Sequence, residues 1–159
     1  LTAGEFYSSN RNGDYFPEEA LKKYHNTFVE HGYVYKHHIN KNPEKSMGKV
    51  IFSHYNPEMR RVEVVIRMKE DHPDVQRLAE DINCGKLAKV SMGCKVPYDK
   101  CSITGKEAKT REQYSEYLKH KMNQVLPDGR KVYAINEKPR FFDLSIVTIP
   151  GFPFVIFLT

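Results

Sequence analysis

The chain has 159 residues, of which 40% are hydrophobic and 28% are charged, and its net charge is +5 at neutral pH. These values are close to globular averages, so they exclude a largely disordered chain. The longest purely apolar run, Phe154–Leu158, is far too short to span a bilayer. The basic residues are scattered without an aromatic–basic ladder, so we expect neither a membrane nor a specific nucleic acid as partner.

Patterns in the first part of the chain predict a helix, a short strand and a β-hairpin. Pro17, followed by two glutamates, is typical of a helix start, and residues 1–16 before it are interpreted as an extended N-terminal arm. Tyr33–Tyr35 is a candidate strand. Arg61–Met68 alternates apolar and polar residues with a period of two and predicts a hairpin with Gly48–Tyr55.

The second part of the chain predicts two more helices and three strands. Apolar residues after Pro73 recur at helical spacing, and Gly85 is a suitable residue to end that helix. Thr110 with Gln113 matches a capping box and predicts a helix that continues to about Val125. The remaining predicted segments are strands at Leu87–Val96, Val132–Ile135 and Phe141–Ile149, and a loop insertion over residues 99–109.

Hairpins without regular βαβ alternation predict an α+β fold. We expect a single β-rich domain over residues 1–159, mostly an antiparallel sheet or barrel, with about three helices packed outside. The sequence contains no glycine-rich phosphate loop, which argues against a doubly wound nucleotide-binding fold.

One segment combines a serine with a nearby glycine. Ser91 and Gly93 lie in the sequence Val90–Cys94, on a predicted strand. A serine hydroxyl can act as a nucleophile, and Gly93 leaves room for a substrate backbone and offers a free N–H group for an oxyanion. An ordinary strand serine is the alternative for this short pattern.

A serine nucleophile needs a base and an acidic residue that orients the base. The adjacent His37 and His38 follow a short strand, and if that segment is extended only one of them can face a given site. Asp143 lies in an otherwise apolar strand, where a carboxylate needs a partner. That partner is either an imidazole or the nearby Arg140.

The sequence does not indicate a metal-binding site. The three cysteines, Cys84, Cys94 and Cys101, are odd in number and irregularly spaced, so we expect a reducing compartment and no disulfide framework. Cys94 and Cys101 lack the spacing of a zinc site. We therefore expect neither a metal nor another cofactor.

Taken in order, several segments resemble the prohead (head-maturation) proteases of tailed bacteriophages, which are related to the herpesvirus assemblin serine proteases. The resemblance runs from about Asn10 to Pro150. The segments that carry it are Tyr35–Pro43, Gly48–Val50, Arg61–Ile66, Val90–Tyr98, Leu126–Asn136 and Pro139–Val147.

The resemblance implies a serine endopeptidase that cleaves scaffold and major capsid proteins during head maturation and then itself. It also implies a homo-oligomer in the host cytoplasm, inside the procapsid or virion. The family's serine matches Ser91, its histidine matches His38 or His37, and its acidic residue matches Asp143. Backbone N–H groups near Gly93 would then stabilise the oxyanion.

The sequence departs from the family pattern at three places. Many members have a histidine in the slot that Lys41 occupies here, so the base must be His38 or His37. Of these two histidines we favour His38 as the base. The alternative function, suggested by Lys41, is that of a catalytically inactive relative with a structural or assembly role in the virus particle. Some similar sequences have a zinc knuckle after the serine strand, of which Cys101 alone remains here. The apolar residues 151–158 also differ from the usual small or polar ending.

Overall fold

A computed structural model describes residues 1–147, and the apolar segment noted above lies outside the described residues. The helices are α1 (Gly4–Tyr7), α2 (Glu18–Tyr24), α3 (Thr27–His31), α4 (Pro73–Asn83) and α5 (Glu116–His120). The strands are β1 (Asp14–Tyr15), β2 (Tyr33–Lys36), β3 (Gly48–Asn56), β4 (Arg61–Met68), β5 (Val90–Lys95), β6 (Asp99–Cys101), β7 (Glu107–Ala108), β8 (Ala134–Ile135) and β9 (Arg140–Ile146).

The α+β class is confirmed, but the sheets differ from the expected arrangement. One sheet has the strand order β1-β8-β6-β7 and the other β4-β3-β2-β9-β5. Both are mixed, because β1 pairs parallel with β8 and β2 pairs parallel with β9. Within residues 1–147 neither sheet closes into a barrel. The pairs β2–β3, β6–β7 and β6–β8 are antiparallel, as expected. The two parallel pairs were not expected, because periodicity within a strand does not encode the direction of a distant partner.

The chain divides into two compact units. The first combines Leu1–His25, Tyr55–Val62 and Lys95–Arg140, and the second combines Asn26–His54, Glu63–Cys94 and the chain from Phe141 onward. All five residues proposed above for the active site belong to the second unit.

The first unit contains the largest differences from the expected local structure. Residues 1–16 form α1 and β1, with Phe16 buried, rather than an extended arm. Residues 99–109 form the antiparallel strands β6 and β7 rather than a loop. The helix expected after Thr110 does not continue: a 3₁₀ turn spans Arg111–Gln113, and α5 begins only at Glu116. Ser115 caps α5 by accepting a hydrogen bond from a backbone N–H.

The second unit confirms the strongest local predictions. β3 and β4 are neighbours in the sheet, as the period of two in Arg61–Met68 indicated. α4 begins at Pro73, where the His72 imidazole accepts a hydrogen bond from the backbone N–H of Asp74. Gly85 follows the helix with φ +81°, the left-handed conformation that favours glycine at a helix end.

The parallel pairing of β2 with β9 positions the candidate site. Tyr33 lies opposite Asp143 in this ladder, and Tyr35 lies opposite Ser145. The start of β9 is anchored by Phe141, which is fully buried and stacks on Phe28 with ring centroids 4.4 Å apart. The chain leaving β2 therefore enters its next loop beside the carboxyl-terminal part of β9.

Candidate active site

The histidine pair lies in a tight turn directly after β2. His37 and His38 have φ of 47° and 60°, positive at both central positions as in a type I′ turn. The turn is closed by a hydrogen bond of 3.0 Å from the Ile39 N–H to the Lys36 carbonyl. Left-handed backbone is unfavourable for residues with a Cβ atom, so the fold must hold this turn in place. The pair therefore lies in a turn and not in an extended segment, so the alternation of side chains along a strand does not apply to it.

Two hydrogen bonds to β9 hold the turn. The His37 N–H donates to the Ile146 carbonyl at 3.0 Å, and the His38 N–H donates to Ser145 Oγ at 3.1 Å. Because both donors belong to the backbone, they fix the direction in which the two imidazoles leave the chain. Of the two imidazoles, the ring of His38 is the one that contacts Asp143.

His38 and Asp143 form the central contact of the site. His38 Nδ1 lies 2.7 Å from Asp143 Oδ2. The Asp143 side chain is completely buried, whereas that of His38 is 42% exposed. When Asp143 is ionised it can only accept, so this contact requires the proton on Nδ1, and the tautomer with that proton has its Nε2 lone pair available. Of the two partners considered for Asp143, an imidazole is the one it contacts.

Two further side chains bind the same carboxylate. Asn40 Nδ2 donates to Asp143 Oδ2 at 2.7 Å, and Ser145 Oγ donates to Asp143 Oδ1 at 2.6 Å. Sequence reasoning missed both residues. Ser145 could have been suspected, because it lies two positions after Asp143 on a strand and so shares its face. Nothing in the loop sequence distinguishes Asn40 from its neighbours.

The negative charge of Asp143 affects the pKa of Tyr35 on the neighbouring strand β2. Tyr35 is almost fully buried in β2. Its pKa is raised, first by burial and then by the negative charge of Asp143. Tyr35 therefore stays protonated beside the carboxylate and adds no second negative charge to this face.

Gly93 has a packing role that the sequence did not indicate. A Cβ atom at this position would lie 3.0 Å from Asp143 Cβ and 3.1 Å from Asp143 Oδ2. The carboxylate thus occupies the space that a side chain at Gly93 would need. This close approach explains the glycine without a substrate, and the oxyanion role of its N–H group stays a prediction.

Ser91 lies on the edge strand β5, two residues before Gly93. Because side chains alternate along a strand, the Ser91 side chain and the Cβ direction of Gly93 share one face of the sheet, the face that carries Asp143. Ser91 is partly exposed. Among residues 1–147 no hydrogen bond joins its hydroxyl to His38. Such hydrogen bonds often form only when a substrate is bound.

A metal site would need a cluster of His, Cys, Asp or Glu side chains. Within the described residues 1–147, no three His, Cys, Asp or Glu side chains come close enough to hold an ion. None of the three cysteines, which all lie within these residues, is in a disulfide, and Cys101 is buried with its sulfur 3.1 Å from Ser115 Oγ. Burial raises the pKa of this thiol, but hydrogen bonds from Ser115 and Thr104 outweigh it and lower the pKa.

Comparisons of the chain with protein-family models, with curated proteins and with solved structures found no match. In the part of the chain that the structure describes, no helix is long and apolar enough to cross a membrane. The chemistry of the site therefore rests on the geometry of His38, Asp143 and their neighbours.

Proposed function

We propose that the protein is a serine endopeptidase of the phage head-maturation type, with Ser91 as nucleophile, His38 as base and Asp143 as the residue that orients the base. The observation that carries this proposal is the 2.7 Å contact between His38 Nδ1 and Asp143 Oδ2. It supplies the base and its orienting carboxylate, which are the two groups that a serine hydroxyl needs for activation.

The proposed reaction uses Nε2 of His38. Ser91 Oγ attacks the scissile carbonyl carbon while Nε2 takes the hydroxyl proton. The tetrahedral intermediate collapses to an acyl-enzyme, and the imidazolium returns the proton to the leaving amine. A water molecule, activated by Nε2 in the same way, then attacks the acyl-enzyme, and the carboxylic acid product leaves Ser91 Oγ. Asp143 stabilises the imidazolium in both halves, and backbone N–H groups near Ser91 and Gly93 bind the oxyanion.

Burial and backbone geometry favour this role over a purely structural ion pair. The Asp143 carboxylate is completely buried, yet its imidazole partner is 42% exposed, so part of the His38 side chain is accessible to a substrate. His38 also adopts an unfavourable φ of 60°. Strained backbone beside an accessible titratable group is frequent at functional sites.

Co-expression with the cognate scaffold and major capsid proteins tests the proposal. With the unmodified chain both substrates should be shortened, and with Ser91→Ala they should stay full length, since losing the nucleophile costs about five to six orders of magnitude in turnover. Ser91→Ala removes one oxygen atom and should change the free energy of unfolding by about 1 kcal/mol or less. Unchanged cleavage with Ser91→Ala would refute the nucleophile.

A matched pair of histidine variants tests the base. His38→Ala should abolish cleavage, because it removes the imidazole that contacts Asp143. His37→Ala, at the adjacent position of the same turn, should retain it. A fluorophosphonate probe gives an independent readout, since only an activated serine is acylated quickly. A folded chain that neither cleaves nor reacts with the probe would support the alternative of an inactive structural relative.

A further inference from the structure

We infer that Asn40 and Ser145 are positioning residues, which hold the Asp143 carboxylate in the orientation that faces His38 Nδ1. The catalytic part of this inference rests on the proposed function. The geometric part rests on three hydrogen bonds to one buried carboxylate and can be tested without any activity.

Ser145 connects both members of the pair. Its hydroxyl is completely buried and donates to Asp143 Oδ1 at 2.6 Å. The same oxygen accepts from the His38 N–H at 3.1 Å. A hydroxyl has one proton and two lone pairs, so both contacts form at once. Ser145 therefore ties the carboxylate to the backbone of the residue whose ring the carboxylate must face.

Asn40 acts on the other carboxylate oxygen. Its Nδ2 donates at 2.7 Å to Oδ2, the oxygen that His38 Nδ1 contacts at the same distance. With Ser145 on Oδ1 and Asn40 on Oδ2, rotation about the Cβ–Cγ bond of Asp143 would break two hydrogen bonds. The carboxylate plane is thus fixed from both sides.

A simpler explanation is that these donors only offset the cost of burying a negative charge. The two explanations differ in what happens to the ring of His38. If Asn40 only offsets burial, replacing it should lower stability and leave the imidazole contact unchanged. If it positions the carboxylate, the contact itself should be lost while the rest of the chain stays folded.

The loop offers a matched pair of variants. Asn40→Asp keeps the shape of the side chain but replaces the donor with an oxygen, which in the ionised form cannot donate to Asp143. Asn42→Asp makes the same change in charge two residues away. There the side chain is exposed and accepts from the Glu44 N–H, which an aspartate does equally well. Asn40→Ala is a neutral second variant if Asn40→Asp fails to fold.

The readout is the ring Nδ1–H proton of His38 in the full-length chain labelled with ¹⁵N-histidine. A proton held against a buried carboxylate exchanges slowly with water and gives a separate resonance, assigned by its loss in His38→Ala. We expect this resonance in the unmodified chain and in Asn42→Asp, and its loss in folded Asn40→Asp, Asn40→Ala and Ser145→Ala. Its persistence in all three variants, or its absence from the unmodified chain, would overturn the inference.

Kinetics on a cleavable peptide extend the test. Misplacing a group in the site by about 1 Å can cost about 100-fold in rate, so Asn40→Ala and Ser145→Ala should lower kcat by about 10- to 100-fold with KM nearly unchanged. Asn42→Asp should leave both constants unchanged. If the resonance behaves as expected but the unmodified chain cleaves nothing, the positioning network stands and the proposed function fails.

Discussion

Replacing Asp143 gives the sharpest separation of structural from catalytic contributions at this site. Asp143→Ala removes the acceptor of three donors, the side chains of His38, Asn40 and Ser145. Ser145 is completely buried and Asn40 is partly buried, so neither reaches water freely. Each buried donor left without a partner costs about 1–3 kcal/mol, and relief from burying the charge offsets part of the sum. We therefore expect a loss of about 3 kcal/mol in the free energy of unfolding.

Asp143→Asn should behave differently, although it also removes the negative charge. The amide oxygen can face His38 and Asn40, and the amide NH₂ group can donate to Ser145 Oγ, which still has a free lone pair. The His38 and Asn40 donors then keep an acceptor and only the buried Ser145 hydroxyl proton loses one, so the loss in the free energy of unfolding should be about 1–2 kcal/mol, smaller than in Asp143→Ala. Turnover should fall by about three to four orders of magnitude, because the imidazolium loses the carboxylate that stabilises it.

Urea unfolding followed by tyrosine fluorescence measures the stability difference. With a slope of about 2 kcal/mol/M, a loss of 3 kcal/mol lowers the midpoint by about 1.5 M in Asp143→Ala. Peptide cleavage by folded Asp143→Asn measures the catalytic contribution. An unchanged midpoint in Asp143→Ala would show that the carboxylate is not held by buried donors, and full turnover in Asp143→Asn would refute its role toward His38.

Three further predictions concern packing and pH. In Gly93→Ala the new Cβ atom would lie 3.0 Å from Asp143 Cβ, so we expect a loss of about 1–3 kcal/mol in urea unfolding together with reduced cleavage; unchanged values would contradict the packing role. Burial raises the pKa of Tyr15 and Tyr55 to about 12, so between about pH 10 and 12 the unfolded state binds fewer protons and stability should fall as pH rises. Urea midpoints across that range should fall less steeply in Tyr55→Phe, and a flat profile in the unmodified chain would exclude the effect. Phe28→Leu removes a ring stacked at 4.4 Å and should cost about 1–2 kcal/mol, visible as a lower Tm in calorimetry and refuted by an unchanged one.

Some elements are encoded locally and could be predicted from sequence. The alternation in Arg61–Met68 specifies a strand whatever its partners, because one face must be buried. The helix from Pro73 is also local, since its apolar spacing, its Pro start and Gly85 after its end all act within a few residues. The resemblance, rather than periodicity, suggested that His38 and Asp143 belong to one site.

Short local signals failed where tertiary contacts decided the outcome. Thr110 and Gln113 match a capping box, yet the Gln113 side chain accepts from the Lys109 N–H and the turn stops at Gln113. The helix begins instead after Ser115, whose hydroxyl also contacts the buried Cys101. A cap pattern of two residues carries little free energy compared with the burial of a core side chain, so packing overrides it.

The sequence by itself determined which residue types are available to the site, but tertiary structure decided how they meet. His38 and Asp143 are 105 residues apart and come together only because β2 pairs parallel with β9. The left-handed turn at His37 and His38 exists only because β9 supplies acceptors for both of its backbone N–H groups. Asn40 and Gly93 likewise acquire their roles from the buried carboxylate beside them. Contacts between residues so far apart in the chain produce no periodic pattern in a single sequence. Each depends on strand order and register rather than on neighbouring residues.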